Sequence, residues 1–260
     1  MAGMTTTPVS ALREAGQLFA LGLDTARASF RRGFQWREFV QQSWFIASVS
    51  ILPTALVSIP FGAVIALQLG SLSQQLGAQS FSGAASVLAV IREAAPIVTA
   101  LLISGAGGSA ICADLGSRKI RDEIDAMEVL GIDPVQRLVV PRVFACMLVA
   151  VLLNGLVSVV GVAGGYFFNV LLQGGTPGAY LASFSALAQL PDLYAGEIKA
   201  LAFGVIAAVV ASYKGLNAGG GPKGVGDAVN QSVVITFLLL FVVNFVFTAV
   251  YFQLVPAKGA

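Results

Sequence analysis

The chain has 260 residues, of which 57% are hydrophobic and 11% are charged. Soluble domains carry roughly 25% charged residues, so this composition excludes a soluble globular protein and predicts an integral membrane protein. The net charge of +2 is split between separate segments, which gives no basic face for binding nucleic acid.

The first predicted element is an amphipathic helix over about residues 9–34. Its apolar residues recur at helical spacing: Leu12, Phe19, Leu23, Ala26 and Phe30. Charged residues lie between them: Arg13, Asp24, Arg27 and Arg31. A helix with this pattern suits the plane of the membrane interface. The alternative is a solvated helical leader.

Five apolar stretches are long enough to cross the membrane, because a helix needs about 20 apolar residues to span the hydrocarbon core. They cover about residues 44–70, 84–113, 142–172, 194–213 and 233–255. The predicted fold is an all-α integral membrane protein with an interfacial helix and five transmembrane helices. We expect residues 1–260 to form a single domain, with the two chain ends on opposite sides of the membrane.

The positions of lysine and arginine predict the orientation, because loops rich in these residues stay on the cytoplasmic side. They lie before the first span, after the second and after the fourth: Arg13, Arg27, Arg31, Arg32, Arg37, Arg118, Lys119, Arg121, Arg137, Arg142, Lys214 and Lys223. The other side receives only Lys258. We therefore expect the N-terminus and the charged segment after the second span on the cytoplasmic side, and the C-terminus on the opposite side of the membrane.

Charged residues within the predicted spans include Arg92, Glu93 and Lys199. Each costs on the order of 2.5 to 3.5 kcal/mol at the middle of the bilayer unless it is paired or hydrated. Arg92 and Glu93 are adjacent on one helix and cannot face each other, so each needs a partner elsewhere. Lys199 is a candidate partner for Glu93. Such a pair either fixes two helices or contributes to a binding site.

The longest charged segment, over about residues 117–134, follows the second span. Its apolar residues are predicted to share a helical stripe: Ile120, Ile124, Met127 and Leu130. Gly131 can end the helix in the left-handed conformation, Asp133 can cap the next helix, and Pro134 suits its first turn. The pattern predicts a short amphipathic helix and a sharp corner on the cytoplasmic side. By itself it is compatible with either a docking element or an ordinary loop.

The sequence gives little support for a catalytic, metal-binding or nucleotide-binding site in this chain. The sequence contains no histidine, no HExxH and no GxSxG, and Cys112 and Cys146 have no CxxC spacing, so neither an intramembrane enzyme nor a metal site is indicated. The glycine-rich run at residues 219–224 lacks the Gly-Lys-Ser/Thr ending of a nucleotide-binding loop. Any energy from ATP must therefore come through another polypeptide.

Several motifs resemble the signature of the MlaE/YrbE permease family. They are Gly107-Gly108-Ser109-Ala110, Ala113-Asp114-Leu115-Gly116, the run from Asp122 to Pro134, and Pro141-Arg142. The resemblance extends over nearly the whole chain and includes Arg92-Glu93, Pro96-Ile97-Val98 and Tyr213-Lys214-Gly215. Gln35-Trp36-Arg37-Glu38-Phe39 and Ile111-Cys112-Ala113-Asp114 are most similar to the A-type YrbE subunits of actinobacterial Mce systems. Asp114 stands where many members have glutamate.

Members of this family are membrane subunits of ABC transporters that move lipids. The resemblance implies that the charged segment is a coupling helix, which fits a groove on a cytoplasmic ABC ATPase. The expected contact residues are Glu123, Asp125, Glu128, Leu130 and Gly131. ATP and Mg²⁺ would be bound by that ATPase, and no cofactor is expected in this chain.

The resemblance also implies a lipid cavity between two permease subunits, lined by the first, second and fifth spans. The expected cavity residues are Ile65, Leu69, Leu72, Leu76, Arg92, Glu93 and Lys199. A second YrbE-type permease subunit in a heterodimer and extracytoplasmic MCE-domain proteins are the other expected partners. The implied function is ATP-driven import of fatty acids, mycolic acids or other lipids. The alternative is a passive channel or membrane scaffold without ATP coupling.

Overall fold

The computed structural model describes residues 8–30, 33–77, 82–172, 174, 176–187 and 189–254, and the regular elements within these ranges are all helical. The α-helices are α1 (Pro8–Ser29), α2 (Trp36–Gln75), α3 (Ser82–Ala89), α4 (Ala95–Leu102), α5 (Ser109–Ile120), α6 (Glu123–Val129), α7 (Val140–Leu172), α8 (Pro177–Leu187), α9 (Leu190–Leu216) and α10 (Gly221–Leu254). The predicted all-α class is therefore confirmed. Arg31, Arg32, Lys258 and the predicted end of the fifth span at Val255 lie outside the described residues.

Five helical runs among the described residues are long and apolar enough to cross a membrane, so the chain is a multi-pass membrane protein. They cover Trp36–Gln75, Ala85–Ile120, Val135–Leu172, Leu190–Leu216 and Gly221–Leu254. Each run continues beyond the apolar stretch that the sequence marks, at one end or at both. A helix satisfies its own backbone hydrogen bonds, so it can extend into polar sequence where the apolar stretch has already ended.

The second and third runs contain π-helical segments at Val90–Ala94, Ile103–Gly108 and Val135–Val139. A π-turn closes i→i+5 hydrogen bonds and therefore holds one more residue than an α-turn, and such turns often occur at functional sites. Arg92 and Glu93 lie in the first of these segments. The two charged side chains are thus carried by an irregular turn of the second run.

Glycines allow the long helices to approach each other closely. A Cβ atom added at Gly62 on α2 would overlap the backbone carbonyl of Gly161 on α7. On α9, a Cβ atom at Gly204 would lie 2.9 Å from the carbonyl oxygen of Cys146 on α7. The apolar core shared by the helices includes Ile46, Ile103, Ile111, Leu115, Cys146 and Leu153. Small residues serve this purpose in membranes because close packing, more than the hydrophobic effect, drives helix association there.

The interfacial helix α1 buries few of its apolar side chains. It packs against α7 and α9, and the residues that it buries include Thr25 and Ala28. Apolar residues of the predicted stripe remain exposed: Leu12, Phe19, Leu23 and Phe30. Phe19 and Leu23 line an open, mostly apolar cavity of about 730 Å³ between α1 and the helices α9 and α10. An exposed apolar stripe of this kind suits a helix in the membrane interface.

The outer faces of α2 and α10 are the most exposed apolar surfaces of the transmembrane runs. On α10 the exposed residues include Val234, Leu238, Val242, Phe245 and Phe252, and on α2 they include Trp44, Leu52, Leu56 and Val64. In a membrane such faces contact lipid or another subunit.

We expect Gly62→Ala to destabilise the bundle, because the added methyl group meets backbone of α7 and only a separation of the two helices can relieve the overlap. The expected loss is about 1–3 kcal/mol, measured as a lower thermal unfolding temperature of the detergent-purified protein. Gly226→Ala is the control, because a Cβ atom there has open space and alanine favours a helix. Equal unfolding temperatures for Gly62→Ala and the wild type would contradict the packing described.

Candidate functional sites

The charged segment after the second run forms a short helix that is separated from that run by a turn. α5 ends at Ile120, Asp122 takes the left-handed conformation with φ 57°, and α6 then extends only from Glu123 to Val129. This corrects the predicted continuous stripe, because Ile120 belongs to the preceding helix and Leu130 follows the end of α6. A left-handed residue reverses the chain direction locally, and residues on its two sides no longer share one helical face.

One side of α6 is anchored and the other is open. Ile124 is buried in the core that the transmembrane helices share, and Met127 packs partly against it. On the open side, Val129 is 88% exposed and Leu130 is 74% exposed. Large apolar side chains this exposed at the end of a charged helix indicate a surface suited to a partner.

The corner after α6 has the predicted geometry. Gly131 has φ +73°, its N–H donates to the carbonyl of Glu128 at 3.0 Å, and the N–H of Ile132 donates to the carbonyl of Met127 at 2.9 Å. This pair of bonds is a Schellman motif, which ends a helix with a left-handed glycine. The carboxylate of Asp133 accepts the N–H of Val135 at 2.9 Å and thereby caps the next helix, as predicted.

The five residues predicted to contact an ATPase lie close together around α6. Asp125, Glu128, Leu130 and Gly131 are exposed, and Glu123 is half-buried. Exposed ion pairs hold the acidic side chains near the segment: Lys119 with Asp125 at 2.5 Å and Arg121 with Glu123 at 2.8 Å. A cavity of about 640 Å³ lies beside the helix, between Glu128 and the α9 to α10 connection at Asn217.

Four charged residues of the membrane-crossing runs, Arg92, Glu93, Asp192 and Lys199, form two linked ion pairs. Lys199 contacts Glu93 at 3.2 Å, which confirms the predicted pairing. The guanidinium of Arg92 contacts Asp192 at 2.7 Å, and Asp192 is buried. Lys199 also donates to the backbone carbonyl of Arg92 at 3.0 Å, so the two pairs are connected.

Residues of α10 complete this charged cluster. The hydroxyl of Tyr251 donates to the carboxylate of Asp192, and the ring of Tyr251 lies 5.5 Å from the guanidinium carbon of Arg92. Thr248 accepts a hydrogen bond from Lys199 at 2.8 Å. The side-chain amide of Asn244 donates a hydrogen bond to the carboxylate of Glu93 at 3.3 Å. The cluster thus joins the second, fourth and fifth runs.

The predicted fourth span, at about residues 194–213, leaves Asp192 outside it, and sequence reasoning therefore missed this residue. The helix begins earlier, at Leu190, and Asp192 and Gln189 form a capping box with Pro191 in the first turn. Pro191 followed by Asp192 is a recognisable helix start, and that signal would have placed Asp192 in the first turn of the fourth helix.

The four predicted aliphatic cavity residues lie along α2. Ile65 and Leu69 are half-buried, whereas Leu72 is 51% exposed and Leu76, the residue that follows the helix, is 73% exposed. Residues spaced three and four apart share a helix face, so Leu72 and Leu76 continue one outward apolar strip. The hydrogen bonds described for the charged cluster join the second run, α9 and α10, and α2 takes no part in them.

Five membrane-crossing runs with ion pairs between them, and a short exposed helix between the second and third runs, form an architecture that suits a transporter permease. Residues 39–250 match the family profile described as permease MlaE, and the chain belongs to that family.

Relatives support the same assignment. A probable ABC transporter permease protein of Synechocystis is 38% identical over 200 residues, which cover 76% of each chain. A probable ABC transporter permease protein of Rickettsia typhi is 32% identical over 82% of this chain and 83% of its own. The chloroplastic protein TRIGALACTOSYLDIACYLGLYCEROL 1 of Arabidopsis thaliana is 29% identical over 84% of this chain and 62% of its own. The family and these relatives indicate an ABC transporter permease with a role in transport instead of catalysis, and the ABC class implies an ATPase partner.

The pairing of Glu93 with Lys199 predicts a non-additive response to mutation. Lys199→Met leaves Glu93 in an apolar bundle without its cation, whereas Glu93→Gln combined with Lys199→Met removes both charges. We expect the double variant to lose less stability than the two single variants lose together. The difference, which is the coupling energy of the pair, should be about 1 kcal/mol or more. Thermal unfolding of the four proteins in detergent measures it. Additive losses would show that the pair is not an energetic unit.

Proposed function

We propose that this chain is one permease half of an ATP-driven lipid transporter of the bacterial inner membrane. The observation that carries the proposal is the exposed end of α6, where Val129 and Leu130 stand beside exposed acidic residues and next to the anchored Ile124. A helix that is fixed to the transmembrane core on one side and apolar on the other is suited to docking on an ATPase and transmitting its movement.

The proposal places α6 in the cytoplasm. Loops rich in lysine and arginine stay on the cytoplasmic side, and Arg118, Lys119 and Arg121 immediately precede α6. The N-terminus would then be cytoplasmic and the C-terminus periplasmic, because the chain has five candidate spans among the described residues. This orientation exposes the end of α6 to a soluble motor.

Glu123, Asp125, Glu128, Leu130 and Gly131 are the proposed contacts with the ATPase. Leu130 supplies apolar area at the centre, and the acidic residues around it supply charge that a basic rim on the partner would complement. Gly131 lets the chain turn away directly after the contact because its φ is positive. ATP and Mg²⁺ bind to the partner, so nucleotide-driven movement reaches this chain through α6.

Reversing the charge of Glu128 is expected to release the ATPase. In Glu128→Lys, a lysine replaces an exposed acid beside Leu130, and the amount of ATPase that copurifies with the tagged permease should fall on the order of tenfold, equal to about 1.4 kcal/mol. The matched control is Asp227→Lys, which makes the same charge change at an exposed position in the first turns of α10. Undiminished copurification with Glu128→Lys would exclude α6 as the docking element.

The proposed substrate is a lipid held in a cavity between this chain and a second permease subunit. Ile65, Leu69, Leu72 and Leu76 form an outward apolar strip suited to acyl chains. The side chain of Arg92 is 27% exposed despite its pair with Asp192, so it can meet an anionic head group, while Glu93 and Lys199 hold the adjacent turn in place. The name of the Arabidopsis relative contains that of a glycolipid, which favours a lipid substrate for this chain too.

The finer assignment follows the resemblance to A-type YrbE subunits. Under it the second permease subunit is a different YrbE-type chain, MCE-domain proteins complete the complex outside the cytoplasm, and the transporter imports fatty acids, mycolic acids or other lipids. The exposed apolar faces of α2 and α10 offer surface for such a permease partner.

Filling the proposed cavity is expected to reduce bound lipid. Leu72→Trp adds bulk to the outward strip of α2, and the lipid retained by the purified complex should fall at least about fivefold, equal to roughly 1 kcal/mol. Mass spectrometry of extracted lipid measures it. Leu152→Trp on α7, at another outward apolar position, is the control and should retain lipid as the wild type does. If Leu72→Trp retains as much lipid as Leu152→Trp, the lipid does not bind at this strip of α2.

A further inference from the structure

Arg118 links α6 to the transmembrane helices. It lies in the last turn of α5 and reaches in two directions, to Asp114 on its own helix at 3.3 Å and to Glu123 at the start of α6 at 3.8 Å. The helix break at Asp122 lies between Arg118 and Glu123. The side chain therefore bridges the turn that separates α6 from the second run.

Asp114 is in turn held by a buried cation. The side chain of Arg142, at the start of α7, is fully buried and donates to the carboxylate of Asp114. Arg142 also contacts Glu38 in the first turn of α2 at 3.3 Å and donates to the backbone carbonyl of Leu138 at 2.7 Å. The buried pair thus ties the first, second and third runs together at the end of the bundle that carries α6.

The short helix α6 needs such a tie because both of its ends are turns. Asp122 and Gly131 each have positive φ, so the seven residues from Glu123 to Val129 are joined to the bundle by two sharp bends. Ile124 anchors one side of the helix by burial. Two ion pairs from α5 attach the helix further, Lys119 to Asp125 at 2.5 Å and Arg118 to Glu123 at 3.8 Å. Of these two cations, Arg118 is the one that also contacts Asp114.

We propose that Arg118 is a positioning residue that transmits the movement of α6 to the joint formed by Asp114 and Arg142. The proposal rests on the function proposed above, because it assigns a route to the ATP-driven movement. A push on α6 reaches Asp114 through Arg118 and then reaches three runs at once through Arg142. Without Arg118, the ATPase still docks on α6, but α6 then moves relative to the second run by bending at Asp122 and does not displace Asp114.

Arg121 provides a matched comparison within the same segment. It also forms an ion pair with Glu123, at 2.8 Å, which is shorter than the contact from Arg118. Its side chain is 57% exposed, and the ion pair described for it does not lead to Asp114. The two arginines therefore share the partner on α6 and differ in the connection to the transmembrane joint.

The test compares Arg118→Met with Arg121→Met in the complex purified with its ATPase. ATP hydrolysis is measured in detergent and in vesicles of phosphatidylethanolamine and phosphatidylglycerol. We expect Arg118→Met to keep the ATPase bound and the rate in detergent unchanged, while the stimulation by vesicle lipid falls about fivefold or more. Arg121→Met should match the wild type, and Arg118→Lys, which restores the positive charge, should recover most of the stimulation.

Stimulation of Arg118→Met equal to that of Arg121→Met would overturn the proposal. If Arg118→Met does not assemble, Asp114→Asn tests the same link from the other side, because it keeps the size of the side chain and removes its charge; full stimulation in that variant would also overturn the proposal. A wild-type complex that binds no ATPase, or whose hydrolysis does not respond to lipid, would instead overturn the proposed function, so the two failures are distinguishable.

Discussion

Charged side chains inside a membrane are stable only when opposite charges or hydrogen-bond partners meet them, and this constraint organises the bundle. The cluster that contains Arg92 and Asp192 joins the second run to α9 and α10. The cluster that contains Arg142 and Asp114 joins the second run to α7 and α2. Both clusters connect residues that are far apart in sequence, so they determine which helices are neighbours. Glycines such as Gly62 then set how closely those helices approach.

The two clusters lie at opposite ends of the second run. Arg92 is near its beginning and Asp114 is near its end, and this separation corresponds to roughly 30 Å along a helix, about the thickness of the hydrocarbon core. One cluster therefore stands beside the proposed lipid cavity and the other beside α6. A displacement at one end can reach the other through a single long helical run, whose π-helical segments provide places where its geometry can change.

Local sequence patterns predicted some features of the segment around α6 correctly and others wrongly. Gly131 and Asp133 were predicted correctly because a glycine after an amphipathic helix, followed by a helix-capping aspartate, acts through adjacent backbone groups. The stripe from Ile120 to Leu130 was wrong because Asp122 adopts a positive φ, which aspartate takes only where its surroundings favour it. Glu93 and Lys199 could be paired from the sequence, since few charges were available within the spans. Asp192 was missed because its helix starts before the apolar stretch.

The sequence by itself determined the class of the protein, the approximate spans and the position of the charged segment. Those properties follow from composition and from hydrophobic runs, which are local and additive along the chain. Only the tertiary structure decided that Arg92 pairs with Asp192, that Arg142 is buried beside Asp114 and Glu38, and that Leu130 is exposed while Ile124 is anchored. These features depend on which helices are neighbours and on the directions of side chains across a turn, and such relations between distant residues leave no periodic mark in one sequence.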